Sequence, residues 1–374
     1  MRYFAALAVV VTHVNPHYIE SHVLRAGAFY GFVGVSFFYV LSGFVLTWSC
    51  SQQAPTKFWW NRFSRVWPLM ATMMVLAYVF FWSLEKHPAG PFGYSLQALL
   101  LQSWDPDPSV YAGGDGPVWS LSCEMFFYVM FPLIVLAVRR LRAPGLVLIA
   151  AAVIAAMIAA PIAVGPHVSS ATYAWLFFYL PGYRIGEFII GMLVARAVAL
   201  GLRFRFPSIG YLFGCAALAT WIVGLTRYSL GHGGAVPRPW VALLAMPAFV
   251  LLLIAGASAD LGGRARVLGM WLPVRLGEWS FALYLVHPLV AAVVGTHHWL
   301  ASSTAWGGFG YLLVFLAGAT AVAAAAHYAL EKPVERWLRR RYPGRRTEAR
   351  HRKSPVPAAA GTATAAAVPA ADAS

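Results

Sequence analysis

Apolar runs of about twenty residues, separated by short polar stretches, follow one another through most of the chain. That is the length an α-helix needs to cross a hydrocarbon core of about 30 Å. Ten such runs can be read, near residues 2–15, 30–50, 66–84, 119–138, 146–164, 172–195, 208–226, 240–258, 278–297 and 309–330. A backbone inside lipid must satisfy its own hydrogen bonds, so each run is predicted to be helical. The expected fold is all-α, a polytopic membrane protein of about ten transmembrane helices. Composition agrees, with 60% hydrophobic and 11% charged residues and a mean hydropathy of +0.66. The formal charge of +15 does not indicate a nucleic-acid partner. The basic residues lie between apolar runs rather than on one face of a soluble domain.

The first run, MRYFAALAVVVTH, is too short to span a bilayer upright. Either the start shown lies downstream of the true one, or the helix enters at an angle. Arg2 and His13 are separated by about 1100° of helical rotation, three turns plus roughly 20°, and by a rise of about 16.5 Å. Both side chains are therefore predicted to share one face.

Lysine and arginine sort between the two sides. One set of alternate loops carries Lys57, Arg62 and Arg65; Arg139, Arg140 and Arg142; Arg196, Arg203 and Arg205; and Arg264, Arg266 and Arg275. By the positive-inside rule these face the cytoplasm. The other set holds only Arg25, Lys86, Arg227 and Arg238, and its longest loop, 85–118, contains Asp105, Asp107 and Asp115. With ten spans, both termini are expected on the cytoplasmic side of a bacterial inner membrane. The membrane domain is read as 1–338, and 339–374 as a tail, basic and then Ala/Pro-rich, that has nothing to bury and is expected to be disordered. Cys50, Cys123 and Cys215 are isolated and lack metal-ligand spacing, so no disulfide framework, metal or bound cofactor is expected.

A charge at bilayer depth is normally offset by a partner or a water-filled cavity. The candidates are Arg2, His13, Glu124, Arg184, Glu187, His287 and, at a helix end, Glu331. A neutral His13 can take a proton from a hydroxyl, or serve only as an interhelical hydrogen-bond donor. Arg2 is either an anion-binding group or a topology anchor. Glu124 can orient His13, position an acceptor, or pair with an arginine. For His287 the structural reading is a buried histidine bonded to the carbonyl that Pro288 frees. Arg184 and Glu187, three apart, can neutralise one another, and Glu331 beside a basic run reads as a surface ion pair.

Taken together, the motifs resemble acyltransferase family 3, integral-membrane enzymes that O-acylate sugars, polysaccharides, lipids or macrolides. The Arg2-to-His13 spacing matches that family's first helix, and GFVGVSFFYVLSGFVL (31–46) its second. FWWNRFSRVWP (58–68) matches its arginine-rich cytoplasmic turn. WSLSCEMFFY (119–128), YRIGEFIIGMLVA (183–195), LGEWSFALYLVHP (276–288) and EKP (331–333) match later segments in the expected order. The resemblance implies acyl transfer, acetyl by default, from cytoplasmic acyl-CoA as co-substrate to a hydroxyl of a glycan, a lipid-linked sugar or a small acceptor. On that reading His13, Arg2 and Glu124 are the catalytic candidates, with His13 acting as general base or carrying the acyl group. Arg62, Arg65, Arg184, Glu187 and His287 are the substrate-binding candidates, with Arg62 and Arg65 meeting the phosphates of acyl-CoA. Nearby Trp59, Trp60 and Trp67 can stack on adenine, although tryptophan at an interface ordinarily anchors a helix. A transporter or flippase for a lipid-linked or anionic solute would also bury charges. Such proteins commonly carry paired internal repeats, and none is visible here.

Overall fold

A computed structural model describes residues 1–18, 21–49, 54–83, 90–113, 116–265, 267–296 and 305–342. The Ala/Pro-rich tail, Cys50, Lys86 and Asp115 lie outside the described residues. The helices are, in order, α1 (Arg2–Tyr18), α2 (His22–Phe29), α3 (Gly34–Trp48), α4 (Pro55–Ser83), α5 (Gly90–Ala98), α6 (Pro108–Tyr111), α7 (Trp119–Arg140) and α8 (Ala143–Val164). They continue as α9 (Ser170–Ala174), α10 (Pro181–Ala199), α11 (Pro207–His232), α12 (Arg238–Leu261), α13 (Trp271–Thr296), α14 (Ala305–Ala326) and α15 (Lys332–Arg340). Among the described residues nine helical stretches are long and apolar enough to cross a membrane, and Arg2–Val14 is a shorter apolar one. The protein is a polytopic all-α membrane protein, and each of the ten expected spans has a helix.

Three boundaries differ from the sequence expectation in ways that matter for the site. Helix α4 starts at Pro55, a residue whose fixed φ suits the first helical turn. Arg62 and Arg65 therefore lie inside a helix and not in a turn before it. The run 172–195 is broken: Leu180 is extended (ψ 122°) because it precedes Pro181, and a π-turn spans Trp175–Tyr179. Segment 85–118 is not an open loop where it is described. It folds as α5, α6 and two short 3₁₀ turns, with Gln97, Gln102 and Ser103 fully buried. Their side chains bond to the carbonyls of Gly113, Val118 and Trp119 respectively.

Close backbone approach fixes the centre of the bundle. Helices α3 and α10 cross at a reciprocal pair of glycines. A Cβ on Gly43 would collide with the Phe188 carbonyl, and one on Gly191 with the Val40 carbonyl. Without a hydrophobic driving force between helices in lipid, such small-residue contacts supply the association through packing. The 3₁₀ turn Tyr30–Val33 lies equally close to α1, where Gly31 faces the Ala8 carbonyl and Thr12 Oγ1. Helices α1 and α13 run parallel side by side, since Arg2 and Tyr284 line one cavity and His13 meets His287 further along.

Candidate active site

The Arg2 end of α1 opens on a cavity of about 90 Å³ among α1, α3, α4, α7 and α13. Four groups singled out in the sequence, Arg2, Arg62, Arg65 and Glu124, come together there, with Ser42, Tyr128 and Tyr284 among the other polar residues of the wall. The Glu124 carboxylate accepts hydrogen bonds from the Tyr128 hydroxyl, one helical turn along α7, and from Ser42 Oγ at 3.4 Å. Neither bond goes to His13. The Arg2 guanidinium lies 6.0 Å from the Phe38 ring centroid, and that of Arg62 lies 5.6 Å from Phe58 and 5.9 Å from Tyr128. The Nε atoms of Arg2 and Arg62 are buried with no hydrogen-bond partner. Buried orphan donors are uncommon in native proteins, and three arginines around one carboxylate leave a cationic wall suited to an anion.

Glu331 adds a second carboxylate within electrostatic reach of Arg2 and Arg65. It is not the surface ion pair that its sequence context suggests. Glu331 is buried at the end of a π-turn, His327–Glu331, and its Oε2 lies 2.8 Å from His327 Nδ1. The basic run begins beyond it and turns outward, with Arg339 pairing to Glu335 instead.

Further along the same face of α1, His13 and His287 form a pair. His287 Nδ1 faces the Leu283 carbonyl at 3.2 Å, so that nitrogen carries the proton and donates it. The Tyr284 carbonyl, the one that Pro288 leaves free, is a second backbone partner of the same ring, as the sequence reading expected. His287 Nε2 is then bare, and it accepts from His13 Nδ1 at 3.3 Å. His13 Nδ1 also faces the Val9 carbonyl at 2.9 Å, a second acceptor that demands the same proton. Two carbonyls thus fix both tautomers, leaving His13 Nε2 as an unprotonated lone pair. His287 is fully buried, whereas His13 is exposed. Among the described residues nothing bonds to His13 Nε2.

Arg184 and Glu187 stand apart from both clusters. They are fully buried, 3.2 Å apart, with Arg184 also donating to Ser36 Oγ at 3.1 Å and lying 5.0 Å from the Tyr39 ring centroid and 5.2 Å from that of Phe178. Neither lines the Arg2 cavity. The tryptophan indoles are already engaged as donors, Trp59 to the Tyr128 carbonyl (3.0 Å), Trp60 to Leu338 (2.9 Å) and Trp67 to Ala98 (3.1 Å). Those contacts tie α4 to its neighbours. Sequence reasoning missed Tyr128 and His327, although each sits one helical turn from a singled-out glutamate, the spacing that makes such pairs meet. Among the described residues no group of three or more His, Cys, Asp or Glu side chains is placed to hold a metal ion.

Comparison with known proteins gives this arrangement a context. Residues 1–328 match the family described as an acyltransferase domain, acyltransferase family 3. Acyltransferase MdmB of Streptomyces mycarofaciens is 33% identical over 370 residues, covering 92% of each chain. Exopolysaccharide production protein ExoZ of Rhizobium meliloti is 28% identical, over 82% of this chain and 90% of its own. Peptidoglycan O-acetyltransferase OatA of Listeria monocytogenes is 28% identical over 40% of this chain and 25% of its own. No solved structure matches the chain. The chain belongs to acyltransferase family 3.

Proposed function

We propose, from this family membership, that the protein is a membrane O-acyltransferase that moves an acyl group, acetyl by default, from cytoplasmic acyl-CoA to a hydroxyl of a sugar-containing acceptor. The observation that carries the reading is the division of α1 into two chemical stations on one face. Arg2 joins Arg62, Arg65 and Glu124 at one end, and His13 presents an unprotonated Nε2 about 16.5 Å along the helix. The arginines receive the anionic and polar parts of the donor, and its pantetheine arm runs along α1 toward His13. A phosphate or carbonyl oxygen satisfies the orphan Nε donors of Arg2 and Arg62. Glu124, held by Tyr128 and Ser42, keeps the arginines spread and the cavity open.

In the reaction, His13 Nε2 takes the proton of the acceptor hydroxyl as its oxygen attacks the thioester carbonyl. The carbon–sulfur bond then breaks, and the proton passes from His13 to the departing CoA thiolate. His287 orients His13 without touching substrate. The likeness to a peptidoglycan O-acetyltransferase supports a glycan hydroxyl as acceptor and acetyl as the group moved. The Lys/Arg distribution supports a bacterial inner membrane with both termini in the cytoplasm. The donor assignment is tested by charge reversal. Arg62→Glu or Arg65→Glu should raise the KM for acetyl-CoA by about tenfold or more, since a charge-assisted hydrogen bond contributes about 1.5–3 kcal/mol, and leave the acceptor KM unchanged. An unaltered acetyl-CoA KM would count against the assignment. With His13 acting as a base, protein quenched with acetyl-CoA alone should carry no acyl group by mass spectrometry.

A further inference from the structure

Arg238 begins α12 and belongs to the end of the bundle opposite Arg2, the side on which the sequence puts few basic residues. Its guanidinium lies 5.0 Å from the Phe178 ring centroid and 5.8 Å from that of Phe32. Phe178 thus has guanidinium groups from two arginines, and they differ in burial and in partners. Arg184 is fully buried and has Glu187 and Ser36 as partners. Arg238 is half-buried, and among the described residues it makes no hydrogen bond or ion pair. A charge in such a position is normally matched by a counter-ion.

Phe32 connects Arg238 to the proposed base. It lies in the 3₁₀ turn Tyr30–Val33, whose Gly31 abuts Ala8 and Thr12 of α1. Arg238 is thus linked through this turn to the part of α1 that leads into His13, and its charge is within electrostatic reach of the imidazole. Aromatic rings form the floor beside it. Trp119 is 5.0 Å from Phe178 and 4.8 Å from Tyr179, and Tyr111 is 4.2 Å from Tyr179, all between centroids. A guanidinium held by two rings, with its planar set of donors unclaimed among the described residues, fits the paired oxygens of a carboxylate or a phosphate.

We propose that Arg238 is the anion-recognising residue of the acceptor subsite. The acceptor is a sugar that carries an oxyanion, which Arg238 binds while a neighbouring hydroxyl reaches His13 Nε2. This deepens the acyltransferase reading and rests on it for the role of His13. The oxyanion comes either from a uronic acid or from a sugar phosphate, and the test separates them.

The full chain in phosphatidylcholine nanodiscs is titrated calorimetrically, without donor, with methyl glucuronoside, glucose 1-phosphate and methyl glucoside. At least one anionic probe should bind about tenfold or more tighter than the neutral glycoside, and the tighter of the two identifies the source. Arg238→Gln should abolish that preference and leave the neutral glycoside's Kd unchanged, and Arg238→Lys, which keeps the charge but loses the fork, should retain part of it. Equal binding of all three probes by the wild type overturns the proposal, as does a preference that survives in Arg238→Gln. If the glutamine variant does not fold, an undiminished preference in the lysine variant overturns it. With labelled acetyl-CoA added, Arg238→Gln should raise the KM for the anionic acceptor about tenfold and leave that for acetyl-CoA alone. An anion preference without any transfer of label would uphold the subsite and remove the acyltransferase reading instead.

Discussion

Substituting His287 separates a residue that orients the base from the base itself. The His13 Nδ1 proton has two acceptors, the Val9 carbonyl at 2.9 Å and His287 Nε2 at 3.3 Å. The shorter bond is made by α1 to itself and survives any change at position 287. His287→Leu therefore removes only the longer, neutral hydrogen bond, whose net worth is about 0.5–1.5 kcal/mol. Expressed on the barrier, that corresponds to a fall of about 2- to 13-fold in kcat. His287→Gln places an amide oxygen where Nε2 stood and should recover most of the loss. His13→Ala deletes the proton acceptor and should cost about 10²–10⁴-fold. The assay is the initial rate of label transfer from saturating labelled acetyl-CoA, at matched membrane levels, with melting temperatures recorded for every variant. A loss beyond about a hundredfold in His287→Leu at an unchanged melting temperature would refute the reasoning, because the Val9 bond would then not be holding the tautomer. A glutamine variant worse than the leucine one would refute it too.

Three other outcomes follow from the geometry. Breaking the buried Arg184–Glu187 pair by Arg184→Met alone should cost about 3–5 kcal/mol and depress the melting temperature, and the double change with Glu187→Met should restore much of it. Gly191→Val should reduce the folded fraction seen by size-exclusion chromatography, since a side chain there meets the Val40 backbone, and overpacking of this kind costs about 1–3 kcal/mol. Glu124→Gln should keep the protein in the membrane but lower transfer sharply, and full activity would reduce Glu124 to a packing role.

The membrane architecture was legible because it depends on one-dimensional quantities. Runs of apolar residues announce helices by length alone, and the Arg2–His13 spacing puts both on one face by rotation alone. What the sequence could not announce was the meeting of distant segments. Arg62 and Arg65 read as a turn because two arginines in an aromatic-rich stretch look interfacial, yet Pro55 starts the helix ahead of them and carries them into the bundle. The pairing of His13 with His287 joins helices 274 positions apart, and no local spacing encodes it. Glu331 was misread for the opposite reason, since its neighbours in sequence are basic while its partner in space is His327. The break at Leu180 was readable in principle from the following proline. Phe178, just before the break, lies against Arg184, just after it, and against Arg238, which comes from a helix about sixty positions away and which no local spacing announces.

The central claim is that His13 performs acyl transfer on a hydroxyl acceptor. Wild-type protein and His13→Ala, expressed at matched membrane levels, are supplied with labelled acetyl-CoA, and label is counted in the lipid and glycan fractions. Label should appear in one of those fractions for the wild type and be lost in the variant. Equal incorporation by both proteins would contradict it, leaving His13 as a polar contact between α1 and α13.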